Sequence, residues 1–352
     1  MLLEKKKKIG MRDIAEAAGV SVTVVSSALS GGGRISEERK HEITQLAHKM
    51  GYRSNAAARL LKSKRVEDVG LLIFEKEELI RENAAFMDMT IQFLKECLRN
   101  NIHFQLEWLD SNSNRETVPQ ILTNGLVGGL LIAGVPTNAS KHFIDQELTL
   151  PYVTLGERSA YSICYDRREQ LRQAIYYLVS LGHTDIGLIN GPIELKIFQD
   201  CKEVYDSTLK EISQFSPSLF CHEYYPAEDT RSQTTHLLEK FLNESKRPTA
   251  LLVQSGLFCK SFISGLFRNG VKVPEDVSII CIETVDWEAE KFYPPITAIE
   301  HHFHDMVATG VKMLCDLMSG KKVDRPNQTV LPVFTKRETV APYRSNLSSI
   351  IS

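Results

Sequence analysis

The 352-residue chain lacks the features that mark several large classes of protein. No apolar run approaches the roughly 18 residues of a membrane span, because runs such as residues 69–74 stop after about six residues. Near the start, no basic segment precedes an apolar stretch of signal-peptide length, so we expect a cytoplasmic protein rather than an exported one. The seven cysteines are scattered without a C-x-x-C pair, which favours reduced thiols over disulfides or a zinc site.

Motifs for phosphate binding and nucleophilic catalysis are missing as well. The sequence has no G-x-G-x-x-G after a predicted strand, no Walker lysine loop and no G-x-S-x-G elbow. His301, His302 and His304 form a histidine-rich run, but no cysteine or carboxylate spacing around them completes a familiar metal site. We expect these histidines to be solvated or to cap a helix. We therefore predict no catalytic residue, no cofactor and no metal, and we expect a protein that is not an enzyme.

Charge is present but is divided unevenly along the chain. Residues 1–65 hold 14 Lys and Arg against 6 Asp and Glu, a net charge of +8, whereas the other 287 residues carry −10. Hydrophobic residues make up 43% of the chain, enough for two or three domains folded around apolar cores. The asymmetry indicates a basic, polyanion-binding head on an acidic body.

The basic head has the pattern of three short helices. Apolar residues recur at helical spacing over 11–18, Gly19 suits the left-handed end of a helix, and Ser21 is a good N-cap for a second helix over 22–29. A third helix is predicted after Ser36. Helix, glycine turn and helix together predict a helix-turn-helix, whose second helix enters a major groove. A three-helix bundle without a nucleic-acid role is the alternative, and the excess of positive charge argues against it.

Short apolar runs alternate with amphipathic stretches from residue 66 onwards. This alternation predicts parallel sheets in two α/β lobes, with a ligand site in the cleft at the carboxyl ends of the strands. We predict strands over 69–74, 103–109, 129–133, 152–155, 186–190, 250–254 and 277–282. We predict helices over 86–98, 168–181, 198–212 and 230–243.

Three N-terminal segments carry a specific resemblance: MRDIAEAAGVS over 11–21, Val25-Ser26, and GYRSNAAARLL over 51–61. They resemble the lactose-repressor/galactose-repressor (LacI/GalR) family of transcription factors. Weaker landmarks at 181–186, 191–192, 273–278 and 294–299 extend the resemblance to about residue 340. The resemblance implies an all-α helix-turn-helix head and an α/β, two-lobed, periplasmic-binding-protein-like body of parallel sheets flanked by helices.

The resemblance also implies a division of the chain into domains. These are a helix-turn-helix domain (1–54), a hinge helix and linker (55–66), an effector-binding and dimerisation domain (67–340) and a flexible tail (341–352). Within the body, one lobe would comprise 67–164 and 297–325, and the other 165–292 and 326–340. Because the chain crosses between the lobes more than once, the crossing segments would act as a hinge.

The family pattern implies a set of residues that contact double-stranded operator DNA. In the hinge helix, Leu61 matches the leucine that wedges between base pairs from the minor groove and kinks the duplex. Ser27 stands where many members carry Arg, and Ser54 stands where the family has Pro, which leaves the operator free to differ from the family's usual one. The implied DNA contacts are Arg12, Ser21, Val22, Thr23, Ser26, Ser27, Asn55, Ala58, Arg59 and Leu61.

The implied ligand contacts depart from the family pattern more strongly. Arg167 replaces Asn, Cys201 replaces an effector-clamping Arg, Ser255-Gly256 replaces Asn-Asp, and Glu283-Thr284 replaces Asp-Asp. Loss of charge-assisted donors argues against a simple aldose bound in the family's usual way. Either the effector is different in kind, or the cleft no longer responds to a small molecule. The candidate effector contacts are Asn83, Phe86, Gly156, Tyr165, Asp166, Cys201, Ser255, Glu283 and Trp287.

The resemblance thus implies a homodimeric, sequence-specific repressor that binds a near-palindromic operator and responds to a small molecule, a sugar or a related metabolite. Two other classes stay open at this point. One is a cytosolic solute-binding protein without a transcriptional role, and the other is an enzyme built on the two-lobed scaffold. The basic head argues against the first, and the missing catalytic motifs argue against the second.

Overall fold

The computed structural model describes residues 9–30, 35–50, 67–75, 77, 80, 84–110, 118–134, 136, 138–193, 196–212, 220–223 and 229–343. The chain falls in two compact units, one within residues 1–66 and one within 67–352. The predicted hinge helix and linker, residues 55–66, lie outside the described residues. So do the predicted DNA contacts Asn55, Ala58, Arg59 and Leu61 and the predicted effector contact Asn83.

The described part of the first unit holds the helices α1 (Met11–Ala18), α2 (Val22–Ser30) and α3 (Glu37–Lys49). Each helix contributes a buried aliphatic side chain, Ile14, Val25 and Ile43, to one small core. Gly19 ends α1 with a φ of 62°, the left-handed conformation that glycine adopts without strain. The helices predicted from apolar spacing in the head are therefore confirmed.

In the second unit, strands alternate with helices, as the apolar pattern predicts. The elements are β1 (Val69–Phe74), α4 (Ala84–Arg99), β2 (Phe104–Leu109), α5 (Gln120–Thr123), β3 (Gly129–Gly134), α6 (Asn138–Gln146), β4 (Tyr152–Leu155), β5 (Ser162–Tyr165), α7 (Arg168–Ser180), β6 (Ile186–Asn190), α8 (Lys196–Glu211), β7 (Cys221–Glu223), α9 (Thr230–Asn243), β8 (Ala250–Val253), α10 (Gly256–Arg268), β9 (Ser278–Thr284), α11 (Asp286–Lys291), β10 (Thr297–Glu300), α12 (Phe303–Met318), β11 (Asn327–Val330) and β12 (Val333–Thr335).

These strands form two six-stranded sheets, which confirms the predicted two-lobed α/β class. The first sheet has the order β11-β5-β4-β3-β1-β2, and its strands run parallel. The second has the order β12-β10-β9-β8-β6-β7 and is parallel except for β12, which runs antiparallel to β10. Strands β1 and β6 are buried along their whole length, since helices cover both faces of a parallel sheet.

The described chain passes between the two sheets at residues 166–167, 301–302 and 331–332. Each passage is two residues long, so three short segments join the lobes and provide the geometry of a hinge. Strands β5 and β10 both end at a passage. The carboxyl ends of both parallel sheets therefore lie on the side where the lobes are joined.

The lobe boundaries implied by the family resemblance are wrong at two short strands. Residues 297–300 form β10 of the second sheet, where Ala298 pairs with Cys281, and not part of the first lobe. Residues 327–330 form β11 of the first sheet, where Thr329 pairs with Cys164, and not part of the second lobe. The partner that supplies the hydrogen bonds decides which sheet a strand joins, and a four-residue run does not encode that partner.

The predicted flexible tail begins later than residue 341. The carbonyl of Ala341 accepts a hydrogen bond from His183 Nε2 at 2.9 Å, and the amide of Tyr343 donates to the carbonyl of Leu181 at 2.8 Å. Residues 341–343 are thus fixed beside the end of α7. The polar composition of the tail predicted a loose end, but these bonds use backbone atoms, which composition does not report. Residues 344–352 lie outside the described residues.

Candidate functional site

The first candidate site is the amino-terminal turn of α2. Ser21 caps the helix, because its Oγ accepts a hydrogen bond from the amide of Val24 at 3.3 Å. Ser21, Val22 and Thr23 are exposed, and Val22 leaves 38% of its surface open to solvent. The first turn of α2 thus presents two methyl-bearing side chains to solvent. This exposure suits a helix that inserts into a groove.

The rest of the head holds this turn in place. The amide of Val20 donates to the carbonyl of Ala15 at 3.0 Å and fixes the bend between α1 and α2. From α3, Arg39 Nη2 donates to the carbonyl of Ala18 at 3.1 Å and satisfies an orphan acceptor at the end of α1. These bonds fix the end of α1 and the bend that leads into α2.

The predicted DNA contacts among the described residues lie on α1, on α2 and at the N-cap of α2. Arg12 is exposed on α1, and Ser26 and Ser27 are half-buried one turn along α2 from Val22 and Thr23. Threonine and serine hydroxyls can donate to or accept from base edges, and a valine methyl can contact a thymine methyl. The amides of the first turn of a helix attract phosphate. The arrangement can thus read bases and hold the DNA backbone.

The second candidate site lies at the carboxyl end of the second sheet. Glu283 near the end of β9 accepts from Arg167 Nη1, at 2.7 Å between Nη1 and Oε2, and from Gln254 Nε2. Gln254 follows β8, and its backbone N–H donates to the carbonyl of Ile189 at 2.8 Å, next to Asn190 at the end of β6. Arg167 reaches this edge from the first passage between the lobes. Three neighbouring strand ends and one hinge segment therefore build one polar cluster.

Opposing effects set the charge of Glu283. Burial is the largest single effect and raises the pKa of its carboxyl. The charge of Arg167, a smaller effect of His301, and hydrogen bonds from Arg167 and Gln254 together outweigh burial and lower the pKa to about 2. Arg167 itself leaves only 6% of its side chain exposed. The two groups therefore form an ion pair that is largely shielded from solvent.

His301 corrects an expectation from the sequence. It was predicted to be solvated or to cap a helix, yet it is buried, with its ring 4.1 Å from that of Tyr165 in an edge-on contact. Burial lowers the pKa of His301 to about 4, so the ring is neutral at pH 7. The residue lies in the second passage, where the lobes converge. His302 occupies the N-cap position of α12 without a side-chain cap bond, and His304 is exposed.

Cys201 is a second correction. Its side chain is buried on α8 in the apolar core beneath the second sheet, together with Tyr205 and Ile282, so it is not offered to a ligand. Burial raises the pKa of its thiol to about 11. A cysteine behaves as a small apolar residue in such a core, which explains the inward position.

The other predicted effector contacts are spread over both lobes. Asp166 is held by its neighbour Arg168, with 2.9 Å from Nε to Oδ1 and 2.6 Å from Nη2 to Oδ2. Phe86 is half-buried against the core of the first lobe, and Trp287 is partly exposed on α11. Ser255, at the N-cap of α10, and Gly156 adopt positive φ values of 71° and 93°. Of the predicted set, the structure brings Tyr165 and Glu283 to the polar cluster through their contacts with His301 and Arg167.

Sequence reasoning did not select Gln254 and Asn190, and it treated Arg167 only as a departure from a pattern. Gln254 and Asn190 end predicted strands, which is the available signal, since ligands bind at the carboxyl ends of parallel strands. Arg167 follows β5, a strand that the sequence pattern did not predict. In the part of the chain that the structure describes, no group of histidine, cysteine and acidic residues could hold a metal ion. Within those same residues, no helix has both the length and the apolar character that crossing a bilayer requires.

Comparison with known proteins gives matches to both units. Residues 10–55 match the model of bacterial regulatory proteins of the lacI family, and residues 175–340 match a periplasmic binding protein-like domain. A probable HTH-type transcriptional repressor, ExuR of Bacillus subtilis, is 25% identical over 88% of this chain and 92% of its own length. The HTH-type transcriptional repressor PurR of Vibrio campbellii is 24% identical over 94% of this chain and 98% of its own length.

Solved structures agree in fold. The crystal structure of the Lac repressor dimer bound to operator and the anti-inducer ONPF has a TM-score of 0.74 at 22% identity, covering 95% of this chain and 100% of that chain. A complex of the transcriptional regulator CelR with cellobiose has a TM-score of 0.66 at 19% identity, covering 94% of this chain and 100% of that chain. The head thus carries a DNA-binding domain of the bacterial lacI regulatory type, and the body carries a periplasmic binding protein-like domain.

Proposed function

We propose that the protein is a sequence-specific transcriptional repressor that binds a near-palindromic operator as a homodimer and is regulated by a small molecule between its lobes. Relatives along nearly the whole chain are named as transcriptional repressors, and the Lac repressor structure holds operator DNA. Since bacterial operators lie in the cytoplasm, the protein works there. It acts by binding, and no catalytic step is required of it.

The observation that carries this proposal is the exposed first turn of α2. Val22 and Thr23 project from a turn that α1 and α3 support, so they can reach base edges without unfolding any core contact. The net charge of +8 over residues 1–65 supplies attraction to phosphate. By resemblance, Leu61 of the hinge helix adds a minor-groove wedge.

An apolar surface on the first lobe supports the dimer. Met87, Ile91 and Leu98 lie on one face of α4 and are exposed, Met87 by 51% and Leu98 by 71%. The adjoining strand β2 is at the edge of its sheet and exposes Phe104 and Leu106. Exposed apolar surface of this extent marks an interface, and a second copy of the chain would cover it by two-fold symmetry.

The three passages between the lobes supply the regulatory element. A ligand that binds one lobe arrangement more tightly than another shifts the population towards it. The DNA affinity then changes only if the two arrangements hold the paired heads differently, which is the requirement for allosteric coupling.

Selection of DNA by the full-length protein tests the proposal. Purified protein is incubated with fragmented bacterial DNA, bound fragments are sequenced, and the recovered site is measured by mobility shift. Thr23→Ala and Val22→Ala should each weaken specific binding by about 1–3 kcal/mol, roughly 5- to 150-fold, as expected for base contacts. Gln45→Ala on the exposed side of α3 is the matched control and should leave affinity unchanged.

The proposal fails if no symmetric site is enriched and duplex DNA is not bound at low salt. A protein that binds only solutes would give that result, together with a ligand-induced rise in melting temperature. Enrichment of one near-palindrome, with loss of binding in the two α2 variants but not in Gln45→Ala, supports a regulator.

A further inference from the structure

Arg167 is a buried cation in which one terminal guanidinium nitrogen is hydrogen-bonded and the other is not. Nη1 donates to Glu283 Oε2 at 2.7 Å and lies 3.5 Å from Gln254 Oε1. Among the described residues, no atom accepts a hydrogen bond from Nη2, which is shielded from solvent. A buried guanidinium N–H without an acceptor is unfavourable, so an acceptor that arrives at Nη2 is bound favourably.

Asn190 leaves an open acceptor at a neighbouring strand end. Its Nδ2 donates to the carbonyl of Phe198 at 2.8 Å, and its Oδ1 has no donor among the described residues. The side chain of Asn190 is buried. Asn190 follows Ile189, whose carbonyl accepts a hydrogen bond from the backbone N–H of Gln254. Arg167 and Asn190 thus present an unused donor and an unused acceptor at the same sheet edge, where the ring nitrogens of buried His301 also have no hydrogen-bond partner among the described residues.

We propose that the small molecule recognised between the lobes is a hydroxy-carboxylate, whose carboxylate binds Arg167 Nη2 and whose hydroxyl donates to Asn190 Oδ1. The inference rests on the proposed function and adds the chemical class of the effector. A guanidinium edge matches a carboxylate in shape and charge better than it matches a neutral hydroxyl group.

Charge balance favours a carboxylate over a phosphate ester. In the cluster, the carboxylate of Glu283 already partly neutralises the positive charge of Arg167, and His301 is neutral at pH 7. Two further ion pairs, Asp166 with Arg168 and Lys260 with Glu288, add no net charge, whereas Asp88 and Asp305 place negative charge near Tyr165. A phosphate monoester carries up to about two negative charges at pH 7 and would leave the site with an excess of negative charge. A single carboxylate leaves a smaller excess of negative charge.

Binding of matched sugars tests the class of ligand. Three members of one series differ only at C6: galactose, galacturonate and galactose 6-phosphate; the glucose series gives a second set. We expect at least one uronate to bind the full-length protein in calorimetry and raise its melting temperature, with the neutral sugar and the phosphate of its series at least about tenfold weaker.

Two variants of the ion pair should act in opposite directions. Arg167→Gln should weaken uronate binding roughly 10- to 100-fold, the range for a charge-assisted hydrogen bond. Glu283→Gln removes a competing negative charge and should tighten it severalfold, which a merely structural role would not produce. Arg172→Gln is the matched control, because Arg172 also pairs with a glutamate, Glu211, but on the surface of α7. It should bind like the wild type.

The inference is overturned if no uronate binds, if a neutral sugar binds as tightly as its uronate, or if Arg167→Gln and Glu283→Gln weaken binding together. Circular dichroism and DNA binding without ligand check that each variant is folded. Failure of this inference is distinct from failure of the proposed function. If the ligand-free protein enriches an operator but binds no uronate, only the proposed ligand class is wrong. If a uronate binds but no DNA site is enriched, the proposed regulatory function is wrong and the proposed ligand class stands.

Discussion

Replacing Glu283 by Gln should change stability in a way that depends on pH. In the folded chain, burial raises the pKa of this carboxyl, but Arg167 at 2.7 Å, with His301, lowers it from the usual 4.5 to about 2. A carboxyl whose pKa is lowered on folding stabilises the fold above its unfolded pKa and loses that contribution as the pH falls towards the folded pKa. The substitution should therefore cost most near pH 7 and least in acid.

The two pKa values, 4.5 and about 2, correspond to about 3 kcal/mol of stabilisation at pH 7. By the same relation, about 1 kcal/mol remains at pH 3 and almost none at pH 2. His301 lowers this pKa only when it is protonated and is neutral at pH 7, and the Glu283 side chain is 30% exposed to screening solvent. About 3 kcal/mol is therefore an upper figure. A protonated glutamic acid resembles glutamine in size and hydrogen bonding, which is why the two proteins should converge in acid.

Urea unfolding followed by circular dichroism at pH 7, 5, 4 and 3 measures this difference for wild type and Glu283→Gln. The matched control is Glu211→Gln, which removes a carboxylate paired with Arg172 at 2.9 Å on the surface. We expect little effect of the control at any pH, because exposed pairs are screened by solvent and salt. A stability difference for Glu283→Gln that stays constant, or grows, as the pH falls would refute the assignment of an ionised, Arg167-bound carboxylate.

Four further outcomes are expected. Leu61→Ala, in the hinge segment outside the described residues, should weaken specific operator binding far more than non-specific binding in mobility shifts; equal losses would contradict a wedge. DNA affinity should fall by orders of magnitude between about 50 and 200 mM salt, and a flat titration would contradict phosphate contacts. Gly134→Ala should lower the free energy of unfolding by at least about 2 kcal/mol, since its φ is 77° and an added Cβ would lie 1.9 Å from the carbonyl oxygen of Phe74. The control is Gly10→Ala, where the nearest atom to an added Cβ is 3.6 Å away and a smaller effect is expected. Galactose and glucose should raise the melting temperature little, because Cys201 supplies no charged donor, and a shift of several degrees would contradict the altered cleft.

The local pattern of the sequence was sufficient for much of the architecture. The bounds predicted for α1 (11–18), β4 (152–155), β6 (186–190) and α9 (230–243) match the structure. Helices and strands bury apolar residues at different periods, so the period reveals the element without knowledge of its neighbours. The cap at Ser21 and the turn at Gly19 were predictable for the same reason, since both depend on the residue and its immediate backbone.

The sequence also determined that there is a basic head and an α/β body, because charge totals and strand–helix alternation are sums over the chain. Only the tertiary structure decided which distant residues meet. Arg167 and Glu283 are 116 positions apart, yet they form one ion pair, while Cys201 turns into a core and His301 is enclosed beside Tyr165. Pairing of strands and packing of hinge segments set those contacts, and both depend on partners far along the chain that no local pattern specifies.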